Sequence, residues 1–432
     1  MRKYSRKQKK RQVKSGVAEG QRRVCLPGGE VIINARAELL ETAVEAGFQV
    51  VKAMLEEDVE NLCGFRYCHQ RSRKAFRWGE TTGEVTLGGR RVGVNRPRVR
   101  GRRGKEKTLP TYKLLACNDP LNERILEQMV VGVSTRRYKR SLEVNTEGRA
   151  TSKSAVSRRF VLRTQQQLVE WLSRPLGELE LLALFLDGIE MGEHLMVVGV
   201  GVDAKGNKRV LGAWEGSTEN TIVCQALISN LAERGLSTEQ PLLVVIDGSK
   251  ALRKAVKQTF GQNAIVQRCQ QHKRRNVAGQ LPKGLGNLVD LRMRQAYQSD
   301  NVDKAQRTLN NLASQLEEEH PGAAASLREG LEETLTVIAL GLPKTLRQSL
   351  QTTNIIESTL SIVRDVSRNV KRWQNGGMAL RWTVTGLIEA EKRFKRIRGY
   401  RALPILSEAL QQKRGLDNLK EAASNVNRLF KE

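Results

Sequence analysis

The chain has 432 residues, 39% of them apolar, enough for two to four folded domains and too many for a disordered polyelectrolyte. Lys and Arg number 74 against 46 Asp and Glu, a formal charge of +28, and such an excess calls for a polyanionic partner. No run of 18 apolar residues could span a bilayer, the basic start MRKYSRKQKK leads into no apolar signal segment, and six scattered cysteines make no disulfide framework, so a membrane protein, a secreted scaffold and an acidic-surface binder are excluded and a reducing cytoplasm is expected.

In chain order, residues 1–75 read as a helical region. Glu38 to Asn61 carries Leu39, Leu40, Val44, Phe48, Val51 and Leu55 at helical spacing. Residues 76–178 read as a DNA-binding region. Residues 71–140 hold 19 Lys/Arg and 6 Asp/Glu, nearly half the net charge of the chain. The densest part sets Arg90, Arg91, Arg96, Arg98, Arg100, Arg102, Arg103 and Lys105 among Gly and Pro, a composition suited to an extended arm along phosphates, with a solvated basic linker as the alternative. After it, a short helix starting at Ser134 or Thr135, with Arg136 and Arg137, and a second helix capped by Ser152 or Ser154, exposing Lys153, Arg158 and Arg159, read as a helix-turn-helix.

From residue 179 the texture is α/β. LLALFLDGIEM is a buried strand carrying Asp187, HLMVVGVGVDAKGNKRVLGAWEG a hairpin, and Ser217 or Thr218 the cap of a helix through Leu231. PLLVVIDGS is a second buried strand ending in Asp247, and NAIVQRC a third. Residues 273–350 read as a helical insertion, TTNIIESTLSIVRDVSR as a helix capped by Thr352, Thr353 or Asn354, and residues 373–432 as a basic helical tail containing Trp373, Trp382 and the run Lys392 to Arg398. The core is thus a mixed sheet built from 179–272 and 351–372.

Asp187 and Asp247 each end an apolar strand and precede a Gly, at the sheet edge where α/β ligands gather. Paired carboxylates repel unless a cation lies between them, and with Glu357 they offer only oxygen, which favours Mg²⁺ or Mn²⁺ over Zn²⁺. Two such ions about 4 Å apart serve in-line phosphoryl transfer. The alternative for either Asp alone is a cap on the following turn.

In this order these residues resemble the DDE transposases on a ribonuclease H-like fold and, more narrowly, the Mutator-type transposases of bacterial insertion sequences. The matching words are LDGIEM, GAWEGSTEN, VIDGSKAL, VQRCQQHKRRNV and TTNIIES, with QMVVGVSTRRYKRSL and SKSAVSRRF upstream, from about residue 75 to 395. Ser358-Thr359 after the glutamate, and the stretch before residue 75, depart from the family pattern. The resemblance implies that Asp187, Asp247 and Glu357 bind two catalytic divalent ions, that water and then a DNA 3′-OH attack phosphodiesters, and that the amino-terminal region reads terminal inverted repeats. It also implies an oligomer, at least a dimer, acting on double-stranded element ends and target DNA at the nucleoid.

Cys269 and His272 form the family's C-x-x-H word. Taken cold it is half a zinc site, with Cys63, Cys68 and His69 as an imaginable other half in a different region. The preferred reading packs Cys269 behind the active edge and has His272 meet DNA phosphate or orient a carboxylate, a buried structural histidine being the alternative. Lys273, Arg274 and Arg275 are read as lining a DNA channel. Arg364, seven residues beyond Glu357 on the same helix face, is read as meeting the scissile strand, and Trp214 as a core residue or a stacking platform for an unpaired base. No GxxxxGK[ST] loop is present, so no nucleotide-driven step is expected. Two other functions fit less well: a DNA-binding regulator needs neither Asp247 nor Glu357, and a nuclease of the same fold cuts without joining.

Overall fold

A computed structural model describes the chain apart from residues 1–20, 27–28, 69–72, 74, 88–89, 103, 118–119, 139–151, 217–219 and 416–432. The basic amino-terminal run, His69, Arg103, Ser217 and Thr218 therefore lie outside the described residues, as does part of the expected helix-turn-helix. The chain divides into two compact units, residues 1–127 with 133–160, and residues 128–132 with 161–432.

In the first unit β1 (Gln21–Leu26) and β2 (Gly29–Asn34) pair antiparallel ahead of α1 (Ala35–Cys63). The reading of residues 1–75 as a helical region is thus corrected over 21–34, where Val24, Val31, Ile32 and Ile33 supply β-branched residues that favour strands. Val51, Leu55, Val59 and Cys63 of α1 recur every four residues and are all buried. They share a core with Val85, Val94, Val99 and Leu109. Val94 and Val99 belong to β4 (Arg90–Gly101), which pairs antiparallel with β3 (Ala75–Leu87) and then with β5 (Glu106–Lys107). The arginine-rich segment is therefore extended but not a free arm; it is the middle strand of a three-stranded sheet. The ladder bulges between Arg77 and Glu80, where Pro97 has no N–H to give and Gly79 takes φ +80°.

Two helices follow, α2 (Pro110–Cys117) and α3 (Pro120–Val130). The short helix expected from Ser134 falls largely on residues outside those described; within them Arg137 N–H closes a turn on Ser134 O, just after Gly132 at φ +104°. Ser152 is the residue that caps α4 (Lys153–Leu172), its Oγ accepting from Ala155 N at 3.3 Å.

The second unit is built on a mixed five-stranded sheet. β6 (Leu181–Met191), β7 (His194–Asp203) and β8 (Lys208–Gly216) form an antiparallel meander. α5 (Thr221–Glu233) leads to β9 (Leu242–Ile246), and α6 (Lys250–Phe260) leads to β10 (Ala264–Arg268). β9 runs parallel to β6 and β10 parallel to β9, giving the order β10-β9-β6-β7-β8. The cap of α5 is Asn220, whose side chain accepts from Val223 N. Along β6 the side chains alternate between two cores: Ala183 and Phe185 join one, Leu184 and Leu186 the other. A strand covered on both faces has no polar side to show, which is why its sequence is continuously apolar.

After β10 come α7 (Gln270–Ala278), α8 (Lys283–Tyr297), α9 (Val302–Leu316), α10 (Pro321–Arg328), α11 (Leu331–Thr334), α12 (Thr336–Ala339) and α13 (Lys344–Leu350). This all-helical stretch has a hydrophobic cluster of its own around Met293, Leu309 and Leu327. α14 (Asn354–Ser367) then returns to the sheet and packs on α15 (Gly376–Lys392). A Cβ on Gly386 of α15 would come within 2.7 Å of Val363 Cα, so the two helices touch backbone to backbone there. The basic run after Lys392 is loop rather than helix, pinned by Ile397 N–H to Gly206 O, and a last helix covers 403–415. No helix among the described residues is long and apolar enough to cross a membrane.

Candidate active site

Strand register carries Asp187 and Asp247 to the same level. Ala183, Leu184 and Phe185 of β6 face Leu243, Val244 and Val245 of β9, and two more residues along this register bring Asp187 opposite Asp247. Each carboxylate is steadied by the backbone just beyond it: Asp187 Oδ1 accepts from Gly188 N at 2.9 Å, and Asp247 Oδ1 from Ser249 N at 2.9 Å. Burial first, and the charge of Asp247 next, push the Asp187 carboxyl up to about 7, with Glu357 adding to the rise and the Gly188 N–H and His272 opposing it. The three acidic groups thus feel one another although residues 187, 247 and 357 are far apart in the chain.

Glu357 sits in the first turn of α14. Its Oε1 accepts the Thr353 hydroxyl at 2.8 Å and lies 3.7 Å from His272 Nε2. Thr353 Oγ1 is also 3.3 Å from His272 Nδ1 and 3.3 Å from Cys269 Sγ. Cys269 is fully buried and caps α7, its sulfur accepting from His272 N and Thr353 N. The Cys269 contact, opposed by burial and reinforced by the charges of Glu357 and Asp247, lifts the His272 imidazole to about 9. Burial pushes the Cys269 thiol up, yet its hydrogen bonds with His272 and Thr353 hold it below the usual thiol value. The sequence marks Thr353 only as a candidate helix cap. In the fold it gives α14 no side-chain cap and turns its hydroxyl to Glu357 instead, which makes it a residue of the site.

Two ligand sets are available here. Asp187, Asp247 and Glu357 offer three carboxylates with one imidazole beside them, and no Lys or Arg among the described residues forms an ion pair with any of the three. Cys269, His272 and Glu357 have ligand atoms all within 4.8 Å of one another. The sulfur of that second set is already taken up by backbone donors, whereas the carboxylate set gathers three acidic groups against a single imidazole, an excess that a hard divalent cation relieves. Cys63 does not extend the second set: it is buried in the core of the first unit.

Residues 30–396 match the family model described as Transposase, Mutator family. The chain belongs to the Mutator family of transposases. It is 30% identical over 284 residues to the transposase for insertion sequence element IS406 of Burkholderia multivorans, covering 63% of this chain and 70% of that one. It is 26% identical over 239 residues to the transposase for IS6120 of Mycolicibacterium smegmatis, covering 54% and 72%, and 26% identical over 288 residues to that for IS905 of Lactococcus lactis, covering 65% and 70%. The family match takes in most of the stretch before residue 75, where no family word is legible.

The remaining candidate residues of this transposase are spread more widely. Lys273 does not line an open channel: it is 5% exposed, and its Nζ donates to Ser326 O and Glu329 O. Arg274 is held by Asp290 through two hydrogen bonds of 2.7 and 2.9 Å. Both basic residues are thus spent inside the helical stretch, whereas Arg275 is exposed. Arg268, which no sequence pattern marks, is buried 3.1 Å from Glu333 and donates to Gly248 O beside Asp247. Arg364 is exposed on α14, and Trp214 is 36% exposed on β8, while Trp382 is buried. In the first unit, Arg96 stacks 4.3 Å over the Tyr112 ring, Arg100 4.2 Å over Trp78, and Arg98 lies 2.7 Å from Glu106. Arg102 Nε donates to Arg73 O. Arg136, Arg137, Lys153 and Arg158 are exposed and Arg159 is half-buried.

Proposed function

We propose that this transposase cuts DNA at the terminal inverted repeats of a mobile element and joins the freed 3′-OH to target DNA, with Asp187, Asp247 and Glu357 as the carboxylates that hold two Mg²⁺ or Mn²⁺ ions. The observation that carries this reading is the convergence of three carboxylates far apart in the chain: burial first, and then the charges of Asp247 and Glu357, push Asp187 up to about 7. The strand order, an antiparallel meander extended by two parallel strands, supports a ribonuclease H-like core with the site at the carboxyl ends of its parallel strands. Bound there, such ions supply Lewis-acid activation of the attacking and leaving oxygens. The chain itself contributes alignment. Asp187 and Asp247 are fixed by strand register, and Thr353 and His272 steady the Glu357 carboxylate.

The test is a strand-transfer assay with purified chain, Mg²⁺, DNA carrying the repeats that flank its gene, and a target plasmid. The expected product is target DNA covalently joined to the 3′ end of the repeat. Cutting with no joined product would mark a nuclease, and binding with no cut a regulator. Action as a dimer or larger oligomer that pairs two ends belongs to the same proposal.

The basic face of β4 is proposed as a DNA-backbone contact of the first unit. Arg96, Arg98 and Arg100 alternate with Pro97 and Val99 along an extended strand, so they share one face. Neutralising all three to Gln should weaken end binding and lower the slope of log affinity against log salt by about 3 if each meets one phosphate. Titrations by fluorescence anisotropy between low and moderate salt measure it; an unchanged slope removes this face from the interface.

A further inference from the structure

Beside the carboxylate site lies a cavity of about 260 Å³ walled by α7, the end of α8, α13 and the segment entering α14. Its walls are the immediate chain neighbours of the site: Gln271 precedes His272, and Thr352 and Asn354 flank Thr353. A ligand there would lie next to the groups that orient Glu357.

Three features of the cavity describe its occupant. The first is depth: Thr352 lines the wall and is 8% exposed, so the cavity reaches down to the buried segment beside Thr353. The second is charge. Arg274 and Arg294 share the single carboxylate of Asp290, Arg347 is paired with Asp300, and Lys344 has no ionic partner among the described residues. The cavity therefore carries surplus positive charge. The third is amide chemistry: the side chains of Gln271, Gln348 and Gln351 line it without a side-chain hydrogen bond of their own among the described residues. An amide offers a donor pair and an acceptor together, the pairing that reads a base edge.

An anion with a donor-and-acceptor edge, small enough for this volume, is a single nucleotide. Building on the transposase reading above, we propose that the cavity receives one nucleotide of the DNA substrate, drawn out of the stack next to the scissile phosphate, with Lys344 facing its phosphate and Gln348 and Gln351 its base. Extruding a base costs stacking and pairing, and the unpaired amides are the groups that would offset it. A strand anchored this close to Glu357 is held in register for cutting.

The experiment uses the full chain and repeat-end DNA carrying 2-aminopurine singly at each position around the cut, a base whose fluorescence rises when it leaves the stack. The variant is Lys344→Ala with Gln348→Ala, two exposed residues one turn apart on α13, with melting temperature as the folding control. Wild type should brighten at one position beside the cut. The double variant should lose that signal and cut about ten- to hundredfold more slowly, with end binding changed by only a few-fold. Gln351→Ala, which removes an amide without changing charge, should weaken the same signal. No brightening at any position, or full brightening in the double variant, overturns the proposal. Wild type that binds the ends but never cuts them overturns the transposase reading itself, and the nucleotide site with it.

Discussion

Asp187→Asn, Asp247→Asn and Glu357→Gln should each reduce metal-dependent cutting of repeat-end DNA by at least about a thousandfold while end binding stays within a few-fold of wild type. The size follows from what is removed. Each substitution keeps shape and hydrogen-bonding atoms but takes a full charge from a group of three that faces one imidazole and no Lys or Arg among the described residues. Losing one of three anionic ligands costs several kcal/mol of transition-state stabilisation, about 1.4 kcal/mol per tenfold in rate. Folding should survive, because neither aspartate is held by an ion pair that its amide would break; each accepts a backbone N–H that an Asn oxygen also accepts. Gel-shift and cleavage assays on the same preparations check both halves. If binding fell together with cutting, these residues would be structural.

In metal-free protein, the Asp187 carboxyl contributes a loss of stability as pH rises from about 4 to about 7, and Asp187→Asn removes that contribution. The Asp187 carboxyl is raised from its usual 3.8 to about 7, by burial first and by Asp247 second. Between those values the folded chain keeps a proton that the unfolded chain has released, so raising pH through that window favours the unfolded state; below it both states are protonated and above it both are charged. The difference is worth at most roughly 4 kcal/mol. His272 acts in a higher window: raised to about 9, it contributes stability that is complete below about 6.5 and fades as pH climbs through 9. Urea melts at pH 4.5 and 7 in chelator, wild type against the Asn variant, isolate the Asp187 share. Parallel slopes in the two proteins would show that the carboxyl is not strained in the fold.

Much of the second unit can be read in the letters. LLALFLDGIEM and PLLVVIDGS are uninterrupted apolar runs because both faces of the sheet are covered, and each reaches its aspartate where the cover thins. That Glu357 joins them rests on the way α14 packs against the sheet and α15, which no local pattern encodes. Lys273 differs from its expected place for a related reason. A basic run beside the site looks like a channel wall, but burial and two backbone carbonyls give the lysine a structural task, and its ammonium is pulled down to about 8 by that burial. In the first unit, Gly, Pro and Arg favour a loose arm. The valines of β4 that enter the core of α1 outweigh them, and the bulge at Gly79 lets Pro97 be accommodated. Thr353 is in plain view, yet its partner is set by tertiary structure: the hydroxyl meets Glu357 one turn on and Cys269 from another segment.

The separation of Glu357 from its aspartates by an independently cored helical stretch has a bearing on when the polypeptide becomes dangerous to DNA. A ribosome that has released residues through β10 has already emitted both aspartates, but the glutamate arrives only after α7 to α13 have been made, and α14 needs α15 to lie against. Prematurely terminated products ending anywhere in that stretch would keep the basic first unit and lack a third acidic ligand. On the proposed function, such fragments would carry the basic unit without the complete carboxylate set, so incomplete synthesis would leave a chain unable to cut rather than a stray cutter of the chromosome.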